Sequence, residues 1–251
     1  MTRRRMWRSC GKSGKVVHKR RFPRGKQSTN IRHYRRGLAR NSGIGQKYPM
    51  PINRAECAKA ARYLQRQDPA LGRVIRQVGP CTLRRRRDRF ASLVQSIISQ
   101  QVSTQAAATI GRRLTNTAGG RVRLETLTAL TDQSIRAAGV SPQKLRYLRD
   151  LCSRVDKGEL QLSRLGYLSD HQVIHRLTEV KGIGEWTAQM FLIFVLGRSD
   201  VLPCADLGVQ NAMRDLYELS DRPSPQEMEA IARPWRPYAS IGSWYCWRFL
   251  D

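Results

Sequence analysis

The stretch LTEVKGIGEWTA, residues 177–188, decides how the chain folds. Residues 171–180 read as a helix that Lys181, Gly182, Ile183 and Gly184 bring to a stop. The segment that follows, Glu185 to Leu196, is apolar nearly all round, the pattern of a helix buried at the centre of a domain. Glycine permits φ > 0 and carries no side chain, so backbone N–H groups at the start of the second helix can approach a phosphate. An ordinary helix–helix turn has the same look, because short connections between helices often contain glycine. The hairpin alone leaves both readings open.

Working outward, the pattern stays helical. Asn53 or a neighbour caps a first helix running to about Arg66, and Asp68-Pro69 opens a second with Leu71, Val74, Ile75 and Val78 on one face. Gly79-Pro80 stops it. Phe90, Leu93, Val94, Ile97 and Ile98 recur at helical spacing, and Ser103 caps the next helix through Ala106, Ala107, Ile110 and Leu114. Thr115 to Arg121 reads as a Gly-rich break. Short helices are expected over Leu124–Leu130, Asp132–Ala138 and Pro142–Val155, with Gly139 as a stop between the last two. Asp206 opens a further helix through Val209, Met213, Leu216 and Tyr217, and Pro225 to Ala232 opens the last region. No segment shows strand alternation. The fold class is all-α.

The 251 residues carry a formal net charge of +27, which calls for a polyanionic partner. Residues 1–50 hold 16 Lys and Arg and no acidic residue, while the remainder still has 30 basic against 19 acidic residues. Residues 1–48 read as a basic tail without apolar periodicity, expected to be disordered because no core offsets the entropy of ordering it. Three readings of that tail compete: an electrostatic arm for nucleic acid, an organellar transit peptide, or translated upstream sequence with the start at Met50. The run Arg84 to Arg87 is either a phosphate-tracking patch or a solvated face.

Other classes recede. No apolar run is long enough to span a membrane. The six cysteines lie far apart, with no CxxC, which argues against structural zinc and a disulfide framework. His171 and His175 share a helix face, an arrangement met more often at a solvated surface than at a metal. Asp206, placed before an apolar-periodic run, is by itself a helix cap.

Taken together, Leu177–Ala188, then Asp200-Val201-Leu202-Pro203, then Asp206-Leu207-Gly208-Val209 closely resemble the helix-hairpin-helix DNA glycosylase superfamily. The best match is its 3-methyladenine DNA glycosylase II branch. Residues 90–107 (FASLVQSIISQQVSTQAA) are similar to that family's helix leading into its DNA-wedge loop. Residues 233–238 and Trp244-Tyr245 resemble its C-terminal pocket segment. The resemblance covers about residues 50–250, in the family's order.

That resemblance implies residues 49–251 as one glycosylase domain: two helical subdomains around a cleft, the second built from both the N- and C-terminal segments. There is no room before residue 90 for the extra β-domain some members carry, so the chain looks like the short form. Asp206 matches the catalytic aspartate. A fixed carboxylate stabilises the positive charge that builds on the sugar as the glycosidic bond breaks, or activates a water. The partial positive charge of a helix N-terminus favours an anion there. Trp186, Met190, Trp244 and Tyr245 match base-pocket positions, where aromatic faces suit a positively charged alkylated purine. Met190 stands where well-known members often have tyrosine. Trp235 and Trp247 are expected in the core. The enzyme must flip its target out of the stack, and in the loop Gln100-Gln101-Val102 the wedge candidate is Gln101.

Bifunctional relatives place a lysine two residues after the second hairpin glycine, where this chain has Trp186. The resemblance therefore implies hydrolysis by water and an intact strand. The iron–sulfur cysteines of some relatives are absent. The expectation is a monomer on double-stranded DNA, without cofactor or metal, working in the bacterial nucleoid or the eukaryotic nucleus. Two alternatives stand beside it: a glycosylase for mismatched or oxidised bases, and a non-catalytic DNA-binding module that uses the hairpin alone.

Overall fold

Short polar residues placed just ahead of apolar-periodic runs set most of the helix starts. In the computed structural model, which describes residues 52–251, Asn53, Asp68, Asp88, Ser103, Ser141, Ser169, Asp206 and Ser224 each accept a hydrogen bond from the backbone N–H three residues on. Each such cap contributes about 1 kcal/mol. The expectations for the basic tail fall outside the described residues.

Twelve α-helices follow among the described residues, and no strand. They are α1 (Arg54–Gln67), α2 (Pro69–Val78), α3 (Arg89–Ser99), α4 (Thr104–Thr117), α5 (Leu124–Ala129) and α6 (Asp132–Ala137). Then come α7 (Pro142–Asp156), α8 (Asp170–Thr178), α9 (Glu185–Phe191), α10 (Leu207–Leu216), α11 (Pro225–Ile231) and α12 (Ala239–Phe249). The helical class read from the sequence is the class observed. No described helix is long and apolar enough to cross a membrane.

Three local differences have physical causes. Helix α4 runs on to Thr117, because Gly119 and Gly120, both at positive φ, are the residues that end it. The buried segment after the hairpin changes pitch: α9 gives way at Leu192 to a wider π-turn through Leu196, and Gly197 closes it in the left-handed conformation at φ 72°. A 3-10 turn at Leu162–Tyr167, too short to show a period, connects α7 to α8. Its carbonyls at Leu162 and Ser163 accept from the Arg89 guanidinium.

The helices pack in two sets. Helices α1, α2, α10 and α12 pack together with the 3-10 turn Arg233–Trp235 and α11; α3 to α9 pack among themselves. One continuous apolar core runs through both. The first set joins distant parts of the chain, and Asp68 fastens them. Its carboxylate is 4% exposed, caps α2 at Leu71, and accepts from Trp235 Nε1 at 2.7 Å and from the Tyr217 hydroxyl. Burial, and then the bond to Asp68, push the Tyr217 hydroxyl far above the ordinary phenol range. Gly242 of α12 lets Trp235 seat flat, since a Cβ there would lie 2.5 Å from the indole Cε3.

Candidate active site

Asp206 stands where the two sets meet. It caps α10, and its Oδ1 accepts from Val209 N at 2.9 Å. The same Oδ1 accepts from Trp247 Nε1 at 2.9 Å, and Oδ2 accepts from Trp186 Nε1 at 2.8 Å. Indole and backbone N–H groups can only donate, so all three bind the carboxylate as an acceptor and fix its plane. Trp186 belongs to α9 and Trp247 to α12, so each packing set contributes one indole. Gly208 makes the close approach possible: a Cβ there would sit 3.1 Å from both Asp206 Oδ1 and Trp247 Cδ1.

The site opens on one side. Asp206 is 5% exposed, but Trp186 beside it is 40% exposed and Leu207 59%. An apolar, partly aromatic rim therefore borders a buried carboxylate. Met190 follows Trp186 at i+4 on α9, and Trp244 precedes Trp247 at i−3 on α12, spacings that put each pair on one helix face. Trp244 is 8% exposed, edge-on to Tyr245 at 4.9 Å, with the Arg248 guanidinium 5.7 Å from its ring centre.

Two aromatic residues have polar partners that the sequence does not show. Tyr245, expected at the pocket, is fully buried, and its hydroxyl donates to the Gly79 carbonyl at 3.0 Å, tying α12 to the end of α2. It serves the core. Trp247, expected only in the core, is buried and stacked on Phe194 at 5.5 Å, yet its N–H is spent on Asp206. Trp235 is core as expected.

The hairpin lies at the head of α9. Gly182 adopts φ 82°, and a Cβ there would lie 2.1 Å from Tyr147 Cδ2, so both its conformation and its neighbour demand glycine. Gly184 has an ordinary φ of −92° and caps α9 with nothing within 4 Å of where a Cβ would be. Its part is to leave the first-turn N–H groups uncovered, groups that lack partners within any helix. Ile183 is buried and anchors the turn, while Lys181 is exposed and its backbone N–H is held by Asp150 Oδ2 at 2.8 Å.

Between α3 and α4, Gln101 is exposed at φ 54°, a left-handed conformation unusual for a residue with a Cβ. Its neighbour Gln100 turns the other way and donates its amide to the Gly182 carbonyl at 2.6 Å. His171 and His175 are exposed, the latter 3.3 Å from Glu179. Among the described residues no three His, Cys, Asp or Glu side chains gather where they can hold a metal.

An all-α chain whose glycine hairpin leads, one helix later, to a buried, helix-capping aspartate is built as a helix-hairpin-helix DNA repair protein. The model of the HhH-GPD superfamily of base excision DNA repair proteins matches residues 94–237, and the chain belongs to that superfamily. It is similar to a DNA-3-methyladenine glycosidase from Bacillus halodurans, at 35% identity and a TM-score of 0.69, over 75% of this chain and 88% of that one. It is similar as well to the Schizosaccharomyces pombe 3-methyladenine DNA glycosylase in complex with abasic DNA, at 29% identity and a TM-score of 0.67, over 76% and 95% of the two chains. A Bacillus subtilis relative, YfjP, is 33% identical over 169 residues, and the match covers 64% of this chain but only 59% of that protein.

Proposed function

We propose that this chain is a monofunctional DNA glycosylase that hydrolyses the N-glycosidic bond of alkylated purines, of the 3-methyladenine type, in duplex DNA and so begins base excision repair. The observation that carries the reading is the Asp206 carboxylate, fixed by three N–H donors beside an exposed indole. The two similar solved structures are named for 3-methyladenine, and one of them holds abasic DNA, the product such a reaction leaves.

In this reading the two helix sets are the lobes of a cleft, and the hairpin grips backbone phosphate through the head of α9. Gln101 enters the stack as the target nucleotide leaves it. Trp186, Met190 and Trp244 line the space for the extruded base, whose positive ring is drawn to aromatic faces. As the C1′–N bond lengthens, charge grows on the sugar, and a carboxylate already held in place stabilises it without reorganising. Water adds to C1′, and the base departs with the bonding electron pair. Two residues past Gly184 the side chain is an indole bonded to Asp206, not an amine, so no Schiff base forms there and the strand stays intact. The protein acts as a monomer, in the nucleoid or nucleus where its substrate lies.

The test incubates the full chain with duplexes carrying 3-methyladenine, ethenoadenine, 8-oxoguanine or uracil and measures free base. Release from the alkylated substrates, without strand scission and without a borohydride-trapped adduct, is the expected result. Release from neither alkylated duplex overturns the assignment, and a trapped adduct overturns the monofunctional part. Asp206→Asn is expected to abolish release while duplex binding persists.

A further inference from the structure

Positive charge in the described part of the chain is concentrated in one stretch. From the start of α2 to the start of α5, residues 69–123, there are eleven arginines, no lysine and one acidic residue, Asp88. The rest of residues 51–251 holds nineteen basic against eighteen acidic residues, close to neutral. Ten of the eleven arginines are exposed, and Arg89 alone is half-buried.

Their pairing differs from that of arginines elsewhere. Outside the stretch, seven of the fifteen arginines in residues 51–251, namely Arg149, Arg154, Arg176, Arg198, Arg214, Arg236 and Arg248, reach carboxylates within 4 Å. Within it, no exposed arginine has an ion pair among the described residues. Asp88, the only carboxylate available there, is spent capping α3 at Ala91 N. Guanidinium groups left unneutralised side by side repel one another, an arrangement suited to an external polyanion. Arginine, with its planar fork of donors, matches phosphate better than lysine does.

These arginines also form a surface. Helices α3 and α4 pack against each other and are joined by the short Gln100–Ser103 turn, so they run antiparallel. The turn end carries Gln101. At the open end Arg84–Arg87 lead into α3, and a groove of about 380 Å³ passes from Asp88 and Gln95 across Thr115 to Arg121 and Arg123. Arg112 and Arg113 lie on α4 between the groove residues Gly111 and Leu114. At about 1.5 Å per residue, the eleven residues of α3 set this end about 16 Å from the turn, or roughly five base pairs of duplex.

We propose that the open end of the α3–α4 hairpin, through Arg84–Arg87, Arg121 and Arg123, is a second DNA-backbone contact that grips the same duplex about five base pairs to one side of the flipped nucleotide. The inference rests on the DNA reading above and goes beyond it: the footprint is asymmetric, and the flank is held by charge alone.

The experiment measures binding by anisotropy, using duplexes of about 24 base pairs that carry a stable abasic analogue at the centre, or about three base pairs from one end or the other. The wild type is expected to bind one end-placed duplex roughly tenfold more weakly than the centred one, and the other end-placed duplex normally. The variants Arg84→Gln/Arg85→Gln/Arg86→Gln/Arg87→Gln and Arg121→Gln/Arg123→Gln are expected to lose that difference. The fourfold variant should also flatten the plot of log K against log salt by about 2–4 units. Their melting temperatures should match the wild type. Equal loss on all three duplexes, no loss on any, or two duplexes bound per chain overturns the proposal. Should the wild type release no base, the glycosylase assignment fails, while the binding measurements still decide this surface.

Discussion

Gln100 and Gly182 stand 82 residues apart in the chain, and the side-chain amide of the first donates to the carbonyl of the second at 2.6 Å. The bond ties the loop that presents Gln101 to the hairpin that presents Gly184. In the proposed function, that bond couples the group that grips the backbone to the group that enters the base stack.

Gln100→Ala cuts that tie without touching the glycine or Gln101. Stability is expected to fall by about 1 kcal/mol, the usual worth of one such bond. Single-turnover base release should slow roughly tenfold, because a small misplacement of a positioning group is costly. An unchanged rate on a folded variant would leave the bond a purely structural one.

Gly182→Ala meets two obstacles, the positive φ and the ring of Tyr147. The first costs about 1–2 kcal/mol for a residue with a Cβ. Duplex affinity should drop about tenfold or more as the turn is pushed out of shape. Combining it with Tyr147→Ala is expected to restore part of the binding but not the backbone share, a coupling that a double-mutant cycle reads directly. Strict additivity of the two changes would show that the ring and the glycine do not interact.

Trp186→Phe and Trp247→Phe each keep a ring and remove one N–H from Asp206. Base release is expected to fall with both, while affinity for undamaged duplex stays near wild type. Trp247→Phe should also lower stability by about 1–3 kcal/mol, since the change leaves a buried position short of a bond. Full activity in the Trp247 variant would reduce that indole to packing.

Much of this was legible. The hairpin showed itself because glycine spacing is local, and Asp206 because a cap immediately precedes the helix it starts. Trp247 was not, for a physical reason: a tryptophan in an apolar helix reads as core, and the acceptor of its N–H lies 41 residues away. The partner of the Tyr245 hydroxyl was equally hidden, a backbone carbonyl 166 residues distant. Sequence periodicity reports which face is buried. It does not report which buried polar atom meets which.

Asp68 was legible only as a helix opener, yet it holds Tyr217 and Trp235 as well. Asp68→Ala is expected to cost about 2–6 kcal/mol, because it leaves the Tyr217 and Trp235 donors without a partner at about 1–3 kcal/mol each. Denaturant melts read the loss. A change under about 0.5 kcal/mol, the range for an ordinary surface site, would mean that the three groups hold nothing together.

The pair of indoles on Asp206 has a consequence for anyone reshaping this scaffold. One indole comes from each helix set, so the oxygens to which the proposed function assigns the chemistry are located from both sets at once. A substitution that hardens either set internally leaves the fix unaltered. One that shifts the sets against each other by a fraction of an ångström moves both donors relative to the carboxylate, and base release is expected to fall further than the melting temperature does. Screens for heat tolerance alone will therefore accumulate folded, inert proteins, and selection on this framework has to include turnover from the first round.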